Sequence, residues 1–134
     1  MSLCNMRDLL NDARKGGYAV GSFSVANLES VMGVIAAAEE LRAPVIIQCA
    51  ETRLKHHPLK LLGPLMIAAA KAASVPVAVH LDHGTTIGCV EEALQLGFTS
   101  VMIDGSHHPI EENLRLVRQV VEMAKATGAC VEAE

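Results

Sequence analysis

Three short stretches set carboxylates beside imidazoles or beside one another: His80-Leu81-Asp82-His83-Gly84, Ile103-Asp104-Gly105-Ser106-His107-His108 and Val131-Glu132-Ala133-Glu134. Each extends an apolar, strand-like run. Period-2 alternation puts His80 and Asp82 on one face of the first, Met102 and Asp104 on one face of the second, and Glu132 and Glu134 on one face of the third. If the runs are neighbouring strands, ~4.8 Å apart, these carboxylates converge on one mouth. Converging anions are costly unless a cation or a proton lies between them. A divalent metal suits the position, with His83 as its imidazole ligand and Asp104 and Glu134 as acidic neighbours. The bland alternative for Asp82-His83 is a hydrogen-bonded turn. One histidine alone does not hold zinc, because catalytic sites take about three protein ligands.

The remaining polar residues read less sharply. His80 reads as a hydrogen-bonded core histidine, and Glu132 is open to an ion pair inside the fold. His56-His57, before Pro58, read as solvated, and His107-His108 as surface or helix-capping groups. Asn27 either contacts a substrate or caps the helix that starts at Leu28. Arg53 and Lys55 either read a phosphate or carboxylate or lie in solvent. Lys15, Lys55, Lys60, Lys71 and Lys125 all fall on expected helices or loops, so no strand ends in the lysine that imine chemistry requires.

The elements that must position these residues alternate. Helices are expected over 6–16, 28–41, 59–73, 87–96 and from Pro109 to about Thr127. Strands are expected over 19–23, from Val45, and over 77–82, 99–104 and 129–134. Val31, Val34, Ile35, Ala38 and Leu41 recur at helical spacing on one face. Strict β-α alternation implies a parallel sheet with right-handed crossovers, and near-continuously apolar strands imply cover on both faces. The first β-α turn, Phe23-Ser24-Val25-Ala26-Asn27, lacks the glycine pattern of a dinucleotide site or a P-loop. Five strands ending without a covering helix leave an open edge, and a (βα)8 barrel takes about 250 residues. The expectation is therefore that residues 1–134 are the N-terminal half, β1 to β5, of one (βα)8 TIM barrel domain.

Composition narrows the function classes. The chain has 134 residues, 51% of them hydrophobic and only 2% aromatic, so the core is aliphatic. Eleven Lys+Arg against fifteen Asp+Glu give a net charge of −4, which argues against nucleic acid or an anionic membrane as partner. No apolar run reaches the ~18 residues that span a bilayer. Charged residues from Arg7 to Lys15 break up any signal peptide. Four scattered cysteines without a C-x-x-C pair fit buried thiols of a cytoplasmic protein.

The stretches Val77–Gly84 and Gly97–Pro109, with Gly17–Phe23, Asn27-Leu28-Glu29 and the closing Val131–Glu134, resemble the class II, metal-dependent ketose-bisphosphate aldolases. The resemblance covers nearly the whole chain and is close to fructose-1,6-bisphosphate and tagatose-1,6-bisphosphate aldolases. It implies a (βα)8 barrel, a homodimer or homotetramer, Zn2+ as cofactor, and reversible cleavage of a phosphorylated ketose to dihydroxyacetone phosphate and an aldehyde. It implies that His83 is a zinc ligand, that Asp82 exchanges a proton with the C4 oxygen, that Asp104 and Glu134 are acidic positions around the metal, and that Asn27 contacts substrate. Two further zinc histidines and the phosphate loops lie beyond position 134 in the family. The loop Cys49–Pro58 departs from the pattern, which often has a serine at position 50 and glycines after it. That departure leaves open a barrel lyase for another phosphorylated keto sugar or sugar acid. A non-catalytic half-barrel interaction module is the reading from a different class.

Overall fold

The computed structural model describes residues 2–134 and realises the alternation element by element. The order is α1 (Met6–Gly16), β1 (Gly21–Ser24), α2 (Leu28–Glu40), β2 (Val45–Ala50), a one-turn 3-10 helix (Glu51–Arg53), α3 (Leu59–Ala72), β3 (Val77–Gly84), α4 (Ile87–Gln95), β4 (Ser100–Ile103), α5 (Ile110–Lys125) and β5 (Cys130–Ala133). All five strands are parallel and lie in sequence order, β1-β2-β3-β4-β5. The expected α/β class and five-strand order are both present.

Local chemistry sets the boundaries. Asn5 accepts the Arg7 N–H (2.9 Å) at the start of α1. Asn27 and Ser30 form a reciprocal capping box on α2, and Thr86 accepts the Cys89 N–H (3.2 Å) on α4. Each satisfies an N–H that the first helical turn leaves without a partner. The 3-10 turn is not marked by any apolar period, and β3 runs two residues further than expected, to Gly84.

The two faces of the sheet differ. Val45, Ile47, Cys49, Val77, Val79, Leu81, Val101 and Ile103 form one face and pack with α2 to α5 into a dry core with Met66, Val90, Phe98 and Val120. Burial of each large aliphatic side chain there contributes ~1.5–3 kcal/mol before entropy is subtracted. The other face is graded along the strands. At its N-terminal end Ile46, Ala78 and Cys130 pack under Met6 and Leu9 of α1. At mid-strand it turns polar, with Gln48, His80, Ser100 and Glu132. At its C-terminal end it becomes ionisable, with Asp82, Asp104 and Glu134. The helix α1 thus seals the bottom of the concave face and leaves its upper end for chemistry.

All four cysteines are free, and three of them are buried. Burial pushes the Cys49 and Cys89 thiols up to about 12, so both are protonated and unreactive near neutrality. Among the described residues, no helix is long and apolar enough to cross a membrane.

Candidate metal and acid/base site

Asp82 and His83 are adjacent, and a regular strand would point them to opposite faces. The structure resolves this with a bulge. Leu81 pairs with Val101, but the next pair is Gly84 with Ile103, so Asp82 and His83 together oppose one residue of β4. His83 takes φ +42°, in the left-handed region. That combination turns its ring towards the mouth that Asp82 also faces. Gly84 is required beside it, because a Cβ there would lie 2.5 Å from the Met102 carbonyl oxygen.

His83 meets the ends of β4 and β5. Its Nδ1 lies 2.9 Å from Asp104 Oδ2 and 3.7 Å from Glu134 Oε2. One ligand atom from each of the three lies within 4.8 Å of the others. Ser106 donates to Asp104 Oδ1 from its hydroxyl (2.6 Å) and its backbone N–H (3.0 Å). The Ser106 hydroxyl, then His83, holds the Asp104 carboxyl down to about 2. The hydrogen bond to Asp104 in turn raises the His83 imidazole above its ordinary value, with Asp82 and Glu134 adding to it. The Glu134 backbone is tied down by three bonds. Its N–H donates to the Ile103 carbonyl (3.3 Å), and its carbonyl accepts from the Gly105 N–H (3.0 Å) and from Asn113 Nδ2 of α5 (2.8 Å).

Asp82 belongs to a second network on the concave face. Gln48 Nε2 donates to Asp82 Oδ2 (3.0 Å), while Gln48 Oε1 accepts from the Ser22 hydroxyl. One Asp82 oxygen is therefore held from β2. Deeper in, His80 Nδ1 lies 2.8 Å from Ser100 Oγ, and its Nε2 lies 3.5 Å from Glu132 Oε2. Burial pushes the His80 ring down to about 4, so it is neutral at pH 7. A ring protonated on Nε2 satisfies both partners. His80 is thus the expected core histidine, and the exposed Glu132 is its carboxylate partner.

One expectation changes. His57 is not solvated: it is half-buried, its Nε2 is buried, and it lines a cavity of about 390 Å³ together with Asp82 and Arg53. Arg53 and Lys55 are both exposed, and of the two only Arg53 lines that cavity. Asn27 forms the α2 cap, with Oδ1 accepting the Ser30 N–H (2.9 Å), which leaves only its amide N–H groups for a ligand. His107 and His108 are exposed, as expected.

Sequence reasoning missed Gln48, Glu51 and Asn113. Gln48 did leave a signal, as the lone amide in the apolar run Val45-Ile46-Ile47-Gln48-Cys49. Glu51 accepts from the Thr85 N–H (2.5 Å), the Thr86 N–H (3.0 Å) and the Thr86 hydroxyl (2.6 Å), bonds that join segments more than thirty positions apart. No local pattern marks it or Asn113.

The donor set suits a divalent ion. One imidazole nitrogen and two carboxylates, at the open ends of strands, are donors of the kinds that a divalent metal takes. Comparison with known proteins identifies the family. A family profile described as Fructose-bisphosphate aldolase class-II matches residues 4–134. The Fructose-bisphosphate aldolase of Giardia intestinalis is 47% identical over 135 residues, covering 100% of this chain and 42% of the relative. That of Geobacillus stearothermophilus is 46% identical over 139 residues, covering 100% and 48%. The crystal structure of the YdjI aldolase from Escherichia coli K12 superposes with a TM-score of 0.92 at 37% identity, over 98% of this chain and 50% of that one. The chain thus spans about half the length of the relatives it matches, consistent with the N-terminal half of an aldolase barrel. The family profile spans nearly all of these residues, and the chain belongs to the class II fructose-bisphosphate aldolase family.

Proposed function

We propose that these residues supply the acid/base carboxylate and part of the metal site of a zinc-dependent aldolase. The reaction is reversible cleavage of a ketose 1,6-bisphosphate, of the fructose or tagatose type, to dihydroxyacetone phosphate and an aldehyde. The protein works as a homodimer or homotetramer in the cytoplasm. The observation that carries this reading is the convergence of His83, Asp104 and Glu134 within 4.8 Å, with Asp82 beside them.

His83, Asp104 and Glu134 would hold the metal. When bound, zinc supplies Lewis-acid polarisation of the ketose carbonyl. Asp82 takes the C4 hydroxyl proton in cleavage and returns it in condensation. Gln48 fixes one Asp82 oxygen (3.0 Å), which leaves the other for the substrate hydroxyl. Such positioned proton transfer contributes ~10²–10⁴-fold. Asn27 offers its amide N–H groups to substrate from the head of α2. The neutral His80 adds no charge beneath the site and keeps the concave face polar up to the mouth.

The test separates metal from proton transfer. Zinc content and aldol cleavage are measured for the wild type, His83→Ala and Asp82→Ala, with and without EDTA. His83→Ala should lose zinc and activity together. Asp82→Ala should keep its zinc and lose ~10²–10⁴-fold in kcat. Full turnover by Asp82→Ala, or a fully active protein free of metal, overturns the reading.

A further inference from the structure

The segment after β2 carries groups that neither the metal cluster nor the proton-transfer step uses. The Glu51 carboxylate, through its bonds to Thr85 and Thr86, lashes the 3-10 turn to the head of α4. The Leu54 N–H donates to the Glu51 carbonyl (3.0 Å) and the His56 N–H to the Arg53 carbonyl (3.0 Å), so the turn continues in an ordered way towards His57. The backbone of the turn that carries Arg53 is therefore tied down, while its guanidinium remains exposed and without a hydrogen-bond partner among the described residues. Arg53 and His57 both line the cavity of about 390 Å³, with Ser24, Thr52 and Asp82 around it. Among the described residues, Arg53 has no acidic partner. His57 Nε2 is buried and has no hydrogen-bond partner among the described residues. Buried polar nitrogens are as a rule paired, so this one marks a place where an acceptor binds.

The order of groups along the mouth says what that acceptor is. The metal cluster lies on the β4–β5 side of Asp82, and the Arg53–His57 cavity lies on the β1–β2 side. A ketose with its carbonyl at the cluster and its C4 hydroxyl at Asp82 extends its remaining carbons into the cavity. We propose that Arg53 and His57 form a subsite for an anionic group, phosphate or carboxylate, at the far end of the aldehyde half of the substrate. The inference rests on the aldol reading above for its direction. The guanidinium presents paired N–H donors to a planar or tetrahedral anion, and a ring protonated on Nε2 adds a further donor from the buried side.

Two measurements test the subsite. The first is condensation of dihydroxyacetone phosphate by the full chain with glyceraldehyde 3-phosphate, with succinic semialdehyde and with uncharged glyceraldehyde. The wild type should prefer a charged aldehyde, and which one it prefers assigns phosphate or carboxylate. Arg53→Gln should cut that preference roughly ten- to a hundredfold, through KM, and Arg53→Lys should restore part of it. An unchanged preference in Arg53→Gln overturns the proposal. The second measurement needs no turnover. Inorganic phosphate and malonate are titrated into the purified protein while the His57 ring resonances are followed by NMR. A saturable shift that Arg53→Gln abolishes supports the subsite, and no saturable shift overturns it. If the shift saturates but no aldehyde condenses, the subsite stands and the aldol reading falls.

Discussion

Gly84→Ala tests whether the β3 bulge shapes the metal site. A Cβ at position 84 would lie 2.5 Å from the Met102 carbonyl oxygen and 3.2 Å from both Leu81 Cδ2 and Val90 Cγ2. Carbon–oxygen contacts settle at ~3.3 Å or more, so β3 and β4 would have to part by roughly 0.8 Å. The oxygen belongs to the backbone and cannot swing aside. Overpacking of this kind costs ~1–3 kcal/mol. A less flexible unfolded chain offsets ~0.4–1 kcal/mol of that. The net loss is ~1–2 kcal/mol, which lowers a urea midpoint by ~0.5–1 M at an m-value of ~2 kcal/mol/M. Gly88→Ala is the matched control: it sits in α4, where an added Cβ meets nothing within 4 Å, and should gain ~0.5–1 kcal/mol. Because the bulge aims His83, Gly84→Ala should also weaken zinc binding by ~10–100-fold. Urea unfolding and a zinc competition titration on both variants decide it. A Gly84→Ala protein as stable as wild type, with unchanged zinc affinity, refutes the reasoning.

Other outcomes follow from single contacts. The folded-state value of His80, about 4, lies below its ordinary 6.5, so between those values the unfolded chain binds a proton that the folded chain does not. Stability is full above pH 6.5 and falls by about 3 kcal/mol as the pH drops to 4. His80→Gln should flatten that slope in urea midpoints at pH 7 and pH 4.5, and an unchanged slope counts against the assignment. Glu51→Gln weakens an acceptor of three hydrogen bonds at the head of α4 and should cost ~1–2 kcal/mol, read as a fall of several degrees in Tm. No change in Tm would mean that the clamp carries no weight. Asn113→Ala frees the Glu134 carbonyl and should weaken zinc binding by about tenfold or more. An affinity equal to wild type would show that β4 alone holds Glu134.

Much of this architecture was legible because it is written locally. The helix over 6–16 matches α1, and Asn27 and Thr86 mark helix starts through bonds made within three residues. Strand identity followed from short aliphatic runs between helices, and strand order from the alternation. The convergence of Asp82, Asp104 and Glu134 followed from strand ends lying side by side. What was illegible depends on pairing between distant segments. Alternation alone would have turned His83 away from the mouth, because the bulge exists only in the register of β3 against β4. His57 looked solvated because its neighbours are polar, yet the turn that Glu51 pins folds it inward. Gln48 was visible as an amide among aliphatics, but its role needed the position of Asp82 across the ladder.

The bulge also bears on how such a site can change over generations. It lets two consecutive codons aim two groups at one mouth, which an ordinary pleat forbids. Asp82, His83 and Gly84 then behave as a single hereditary letter. Altering Gly84 misplaces His83, and inserting or deleting one residue reverses the direction of everything upstream. The segment that holds Arg53 and His57 follows β2, whose Ala50 pairs with Asp82, and Glu51 ties it to Thr85 and Thr86, but the Arg53 side chain takes no part in either tie. Substitution at position 53 can therefore alter the cavity wall while the register that aims Asp82 and His83 is inherited intact.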